Sequence, residues 1–104
     1  TFIGHYNIMS MEDFRKLTGK QAVARDVAFR PEIVEISTQP IEKEGYLTMK
    51  GKVSVSLPHG NVLRYAVLCG DKQVDVDVLF KKATLIENNT DVYLALKEED
   101  CILL

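Results

Sequence analysis

The sequence predicts an α+β domain that is mainly antiparallel β, built as a small curled sheet or barrel of about six strands with one or two N-terminal helices. Three runs between residues 51 and 80 place apolar side chains at every second position, which is the period of a β-strand. Short connections rich in Gly, Asn and Pro separate these runs, so we expect an antiparallel meander. The alternating residues are Val53, Val55, Leu57; Leu63, Tyr65, Val67, Cys69; and Val74, Val76, Val78, Phe80.

A helix signal precedes the meander. Ser10 and Asp13 have the spacing of a capping box, in which the hydroxyl accepts an amide of the first turn. Phe14 and Leu17 recur at helical spacing, and Gly19 stands where a left-handed residue ends a helix. We expect this helix to bury Phe14 and Leu17 against the sheet.

The next segments are less regular. In residues 20–29, Val23 and Val27 are spaced as on a helix, and Pro31 would end such a helix at residue 30. Residues 32–38 place Val34, Ile36 and Thr38 at every second position, as on one face of a strand. Residues 46–57 form a strand long enough to bend at Gly51, through a bulge or a barrel corner.

The C-terminal part predicts two more short strands, residues 83–87 and 92–96, around a turn at residues 88–91. The last four residues, 101–104, match a prenylation pattern, but the acidic residues before them would be repelled by an anionic membrane. We therefore favour a terminal apolar strand, or the cut end of a longer protein. Residues 1–9 are either an N-terminal extension or a first strand, and residues 10–104 are one β-rich domain.

Composition narrows the class of protein. Apolar residues make up 46% and charged residues 27% of 104 residues, which is typical of a globular domain. The net charge is −2, and no run approaches the roughly 20 apolar residues of a membrane-spanning helix. Two cysteines, Cys69 and Cys101, are too few for a disulfide framework, and no secretory leader precedes them. We expect reduced thiols, a cytoplasmic or other intracellular location, no membrane partner and no cofactor.

One pattern indicates a metal site. Asp75 and Asp77 lie two apart on a strand, so both carboxylates project from one face, as a Mg²⁺ site requires. With Leu79 and Lys81, this spacing resembles the acidic strand of phage-type metal-dependent nucleases. The alternative interpretation is the solvated face of an amphipathic strand, and we favour it.

A second pattern points to nucleic acid. Residues 51–57 and 59–63 resemble the strand–turn–strand of Sm-like and oligonucleotide-binding barrels, although Tyr65 stands where the Sm-like pattern has glycine. That resemblance implies a single-stranded nucleic-acid surface, for which aromatic and cationic side chains are required. The candidates are Tyr46, Lys50, Lys52 and Arg64. The net negative charge argues against this function, because phosphate binding usually needs a basic excess.

No complete catalytic constellation is present, since His59 has no matching nucleophile or oxyanion donors. We therefore expect a non-enzymatic interaction module that binds a protein partner, or a second copy of itself, through a sheet face or strand edge. The expected face is too apolar for an ordinary solvated surface. Its residues are Val62, Arg64, Ala66 and Leu68, with Tyr65 beside them.

Overall fold

The computed structural model describes residues 5–82 and 85–104. Within them the chain forms one α-helix and eight β-strands, with 3₁₀ turns at Pro31–Ile33, Phe80–Lys82 and Glu98–Asp100. In chain order the main elements are β1 (Asn7–Ser10), α1 (Met11–Thr18), β2 (Asp26–Phe29), β3 (Glu35–Ser37), β4 (Tyr46–His59), β5 (Val62–Cys69), β6 (Lys72–Leu79), β7 (Asp91–Lys97) and β8 (Ile102–Leu103).

The strands form two antiparallel sheets. The small sheet has the order β1-β2-β8, and the large sheet has the order β3-β7-β4-β5-β6. The predicted class, mainly antiparallel α+β with a small curled sheet, is confirmed. Over the described residues neither sheet closes into a barrel. No helix in this part of the chain has the length and apolar character needed to cross a bilayer.

The predicted meander is strands β4, β5 and β6. Two-residue turns join them, between His59 and Val62 and between Cys69 and Lys72. Gly60 and Gly70 open these turns with φ of 63° and 64°, a region that costs glycine little and that suits the right-handed twist of a hairpin.

Strand β4 changes partner along its length. Its first part, from Tyr46 to Lys52, pairs with β7, and its later part pairs with β5. The pairing register shifts between Val53 and Val55, so the bulge lies after Gly51 and not at it. Because the bulge adds one residue, Val53 is fully buried while Val55 faces outward, and our expectation that they share a face was wrong.

Gly51 has a different role, which is to let β4 approach β5 closely. A Cβ atom at this position would lie 2.6 Å from Val67 Cγ1, 2.8 Å from Cys69 Sγ and 2.9 Å from the Leu68 carbonyl oxygen. Only glycine therefore allows β4 to cross β5 at this distance.

Helix α1 forms as predicted. The Ser10 hydroxyl accepts a hydrogen bond from the Asp13 amide at 3.1 Å, and Gly19 ends the helix with φ of 80°. Phe14 is buried, with its ring centroid 6.1 Å from that of Phe29, and Leu17 packs half-buried against the core.

Three local expectations differ from the structure. Residues 20–29 form no second helix, because residues 26–29 pair with β1, Val27 and Ala28 also pair with β8, and residues 27–29 are all buried. The strand predicted at residues 32–38 is reduced to β3, because Pro31 starts a 3₁₀ turn. No strand occurs at residues 85–87, and residues 83–84 of that prediction lie outside the described residues.

The core lies between the curled large sheet, α1 and the small sheet. Its largest fully buried side chains include Tyr65, Phe14, Phe29, Leu94 and Leu96. Both cysteines are free, and Cys69 belongs to this core.

Candidate functional site: the outer face of the large sheet

Strands β4, β5 and β6 present one set of side chains away from the core. Cross-strand partners on a sheet project from the same face, so the pairing registers define this set. We call it the outer face, and its members are Lys52, Val55, Leu57, His59, Val62, Arg64, Ala66, Leu68, Gln73, Asp75, Asp77 and Leu79.

Large aliphatic side chains on the outer face remain exposed. The exposed fractions are 37% for Val55, 60% for Leu57, 45% for Leu68 and 48% for Leu79. Val62 and Ala66 lie half-buried between them. No helix or loop in the described part of the chain removes this group from solvent, so it forms one exposed apolar patch.

Arg64 and Asp77 form an ion pair within the patch. Arg64 Nε donates to Asp77 Oδ1 at 2.7 Å and Nη2 donates to Oδ2 at 2.8 Å, so the pair is bidentate. The side chains are only 22% and 10% exposed. These hydrogen bonds raise the pKa of Arg64 above its ordinary value, although burial opposes the rise. The guanidinium therefore has its carboxylate partner within the sheet itself.

The Asp75 carboxylate also has side-chain partners. Its Oδ2 lies 2.7 Å from His5 Nε2, and its Oδ1 accepts a hydrogen bond from the Gln73 side chain at 3.0 Å. Asp75 and Asp77 do project from one face, as predicted. Among the described residues, however, no group of three or more His, Cys, Asp or Glu side chains is placed to hold a metal ion.

Tyr65 lies on the other side of the sheet from Arg64. Its ring is 1% exposed in the core, and its hydroxyl accepts a hydrogen bond from the Ile86 amide at 3.0 Å. Alternation along β5 requires this, since Tyr65 is one residue from Arg64. Tyr65 is therefore a core residue and does not belong to the outer face.

The cations predicted for nucleic-acid binding are each close to another group. Lys50 Nζ lies 6.0 Å from the centroid of the Tyr93 ring, and Lys52 Nζ lies 3.8 Å from Asp91 Oδ1. Arg64 is paired as described above. Tyr46 stands at the opposite end of β4 from the patch, with Lys43 5.1 Å from its ring centroid. These residues do not converge on one groove.

The free edge of β4 is interrupted by a proline. Residues Ser54 to His59 pair with β5 on one side and with no strand of the described chain on the other. His59 and Val62 flank a two-residue turn and so exchange hydrogen bonds, which makes Pro58 a residue whose nitrogen points to the free side. Proline has no N–H there, so this edge is protected against a pairing strand.

The edge of β6 is protected by a side chain. Asn7 Nδ2 donates to the Asp75 carbonyl oxygen at 2.9 Å, and Asn7 Oδ1 accepts from the Asp75 amide at 2.8 Å. The carboxamide thus takes the place of a neighbouring peptide group. The turn Pro31–Ile33 packs along the same strand. Both sides of the meander are closed to strand addition at these points.

A cavity of about 700 Å³ lies elsewhere, between α1, the start of β4 and β8. The sequence patterns did not predict this cavity because its walls are distant in sequence. Its apolar wall is formed by Met11, Phe14, Ala22, Tyr46, Leu47, Cys101 and Leu103. Charged side chains at its rim are Lys20, Glu44, Lys97, Glu98 and Glu99.

Comparison with known proteins adds no family to this geometry. No protein-family model matches the chain, and no curated protein matches it significantly.

Proposed function

We propose that this domain is a non-enzymatic protein-interaction module that binds a partner protein through the outer face. The observation that supports this proposal is the set of four aliphatic side chains, Val55, Leu57, Leu68 and Leu79, left 37–60% exposed on adjacent strands. Exposed apolar residues scattered singly need no explanation, but a contiguous group on a rigid sheet is typical of an interaction site.

The charge of the outer face supports a protein partner over a nucleic acid. Arg64 is neutralised by Asp77, and Asp75 is a further carboxylate on the same face. Lys52 on this face lies 3.8 Å from Asp91 Oδ1, so these charges give the face no basic excess of the kind that a phosphate backbone requires. An apolar protein surface could cover the Arg64–Asp77 pair without leaving either charge unpaired.

The size of the face limits the strength of any contact that is confined to it. Three strands about 4.8 Å apart, each with about seven residues at 3.4 Å, cover roughly 14 by 24 Å, or about 340 Å². Stable interfaces bury about 800 Å² on each partner. A second copy or a partner protein that packed only on this face would fall well short of that area, so the proposed contact is either weak or extends beyond the face.

Contact through the face is favoured over strand addition at its edges. Pro58 removes a donor from the edge of β4, and Asn7 occupies the peptide group of Asp75 on β6. A partner would therefore pack its own side chains against Leu57 and its neighbours.

A displayed library of random 16-residue peptides tests this proposal. The library is selected on the wild-type domain and counter-selected on Leu57→Glu, which places a charge within the patch. The matched control is Leu85→Glu, because Leu85 is 70% exposed outside the outer face. We expect selected peptides to lose binding to Leu57→Glu and to keep binding to Leu85→Glu.

Two solution measurements make the result decisive. Light scattering over a wide concentration range should give a monomer, and polarisation titrations with labelled oligonucleotides at low salt should give no binding. Failure to select any peptide that distinguishes the two variants would overturn the proposal. So would sub-micromolar oligonucleotide binding that is lost as salt rises.

A further inference from the structure

The cavity beside β8 adjoins a strand edge that has no neighbour in the described chain. Among residues 5–82 and 85–104, strand β8 pairs with β2 alone. The Leu104 amide donates to the Asp26 carbonyl oxygen at 2.9 Å, and the Asp26 amide donates back at 3.3 Å, so these two residues form a hydrogen-bonded pair. The next pair, Leu103 with Val27, is then a non-hydrogen-bonded pair. The N–H and C=O of Leu103 therefore point away from β2.

The side chain of Leu103 indicates what lies beside that edge. Leu103 shares a face with Val27, which is fully buried, and it forms part of the cavity wall together with Cys101. A strand added to β8 would place the side chain opposite Leu103 on this same face, over the cavity. A volume of about 700 Å³ is within the range of ligand sites and accommodates a large aliphatic or aromatic side chain.

The rim of the cavity carries three carboxylates, from Glu44, Glu98 and Glu99, against the two ammonium groups of Lys20 and Lys97. Lys20 forms an ion pair with Glu98, which leaves Glu44 and Glu99 against Lys97. The Cys101 thiol in the wall is affected by nearby negative charge as well. Burial, and then the carboxylates of Asp100 and Glu98, raise its pKa to about 11. The rim therefore favours a cationic ligand over an anionic one.

We infer that the groove between β8 and the start of β4 is a peptide-binding site that takes an extended basic segment by strand addition at Leu103, with one large apolar side chain in the cavity. Two backbone hydrogen bonds to Leu103 would fix the register, and Lys or Arg residues two positions before and after the apolar residue would face Glu44 and Glu99. This site is separate from the outer face and does not depend on the function proposed for that face.

The probe is a fluorescein-labelled heptapeptide, Thr-Lys-Thr-Leu-Thr-Lys-Thr, with blocked ends. Its Leu and two Lys side chains share one face when the peptide is extended. Polarisation titration against the whole domain at low salt should show saturable binding. A peptide with Glu in place of both Lys residues should bind at least tenfold more weakly, because it repeats the charge of the rim.

An N-methyl group on the central Leu of the peptide tests strand addition directly. It removes the N–H that would donate to Leu103 while keeping the charge and the apolar side chain. We expect an affinity about tenfold lower, as for the loss of one hydrogen bond that aligns the strand. Because the protein is wild type in this comparison, a folding defect cannot produce the result.

Protein variants locate the site. Leu103→Pro removes an N–H that β2 does not use, and Leu103→Ala retains that N–H, so the proline variant should bind several-fold more weakly than the alanine variant. Glu44→Lys should weaken binding, while Glu42→Lys, an exposed residue outside this cavity, should not. Leu57→Glu should leave binding unchanged.

Three results would each overturn this inference. They are the absence of saturable binding, binding of the N-methylated peptide within twofold of its parent, and binding of the Glu peptide equal to that of the Lys peptide. A change with Leu57→Glu but not with Glu44→Lys would also overturn it and would assign the peptide to the outer face.

Discussion

The two halves of β4 belong to one strand, but their outward side chains differ in chemistry. The first half, Tyr46 to Lys52, pairs with β7 and turns Thr48, Lys50 and Lys52 outward. The second half, beyond the bulge, pairs with β5 and turns Val55 and Leu57 outward. Helix α1 lies along the first half only, where its side chains line the same cavities as residues 46–50.

This difference separates residues needed for folding from residues available for contact. In the first half, Met49 is buried and the outward Lys50 and Lys52 lie near Tyr93 and Asp91. In the second half, the Leu57 side chain is 60% exposed, so it contributes little to the core. The binding role that we propose for the outer face would account for an aliphatic side chain in that position.

Truncation of Phe14 should have the largest effect, because this ring is fully buried in the core and packs against Phe29. Phe14→Ala should lower the free energy of unfolding by about 3–5 kcal/mol, the usual cost of deleting a buried aromatic ring. The measurement is the denaturant midpoint, with hydrogen exchange to show whether protection falls first in residues 46–52. Phe80→Ala is the control, since Phe80 is 48% exposed, and it should cost under about 1.5 kcal/mol. Equal effects for the two variants would contradict the described packing.

Gly51→Ala should have the next largest effect, because it acts where the two halves meet. The new methyl group would lie within 3 Å of the Leu68 carbonyl oxygen, and backbone cannot move aside as a flexible side chain does. We expect a loss of about 1–3 kcal/mol from overpacking. Thr48→Ala, an exposed change on the same strand, should stay within about 0.5 kcal/mol. A Gly51→Ala domain as stable as the wild type would show that β5 can shift without cost.

A pair of leucine variants compares the halves directly. Leu47 is half-buried against the core in the first half, and Leu57 is exposed in the second. Leu47→Glu should cost about 1–2 kcal/mol, whereas Leu57→Glu should change stability by less than about 0.5 kcal/mol. Thermal or denaturant unfolding measures both. A large cost for Leu57→Glu would mean that the outer face is required for folding, which would weaken its assignment as a binding surface.

The smallest effect concerns the two cysteine thiols, whose rates of alkylation can be measured in the wild-type protein. Burial raises the pKa of Cys69, beside Gly51, to about 12, and that of Cys101 stands at about 11. Both values lie above the ordinary 9.0, so less thiolate is present at pH 8, by roughly 100-fold for Cys101 and more for Cys69. Alkylation should therefore be slow, should quicken as pH rises toward 11, and should reach Cys101 first. Rapid labelling of Cys69 at pH 8 would indicate opening at the Gly51 crossing.

The elements that could be predicted from sequence are those whose signals are local. The meander follows from period-two alternation with glycine turns, and α1 follows from Ser10 and Gly19 at its ends. Strand β2 was missed because Val27, Ala28 and Phe29 are all buried and give no alternation. Its partners also lie far away in the chain, as the pairing of Val27 with Leu103 illustrates.

The candidate site was predictable only along one strand. Alternation placed Val62, Arg64, Ala66 and Leu68 on one face of β5, and the structure has them there. Val55 lies on the same face only because of a one-residue bulge in β4. The bulge reverses the face of every later residue in the strand, and it has no distinctive sequence. The bidentate pair of Arg64 with Asp77 depends on the register of β5 against β6.

The contact between Asn7 and the peptide group of Asp75 has a consequence for the order of folding. These residues are 68 positions apart, while the β4–β5 and β5–β6 hairpins close through turns of two residues. Closing the longer loop costs more chain entropy, so the hairpins should form before Asn7 arrives. Until then the Asp75 amide and carbonyl stay open on the edge of β6, where another chain can pair with them. Refolding should therefore lose yield to intermolecular pairing as the protein concentration rises, although the finished fold protects the same edge.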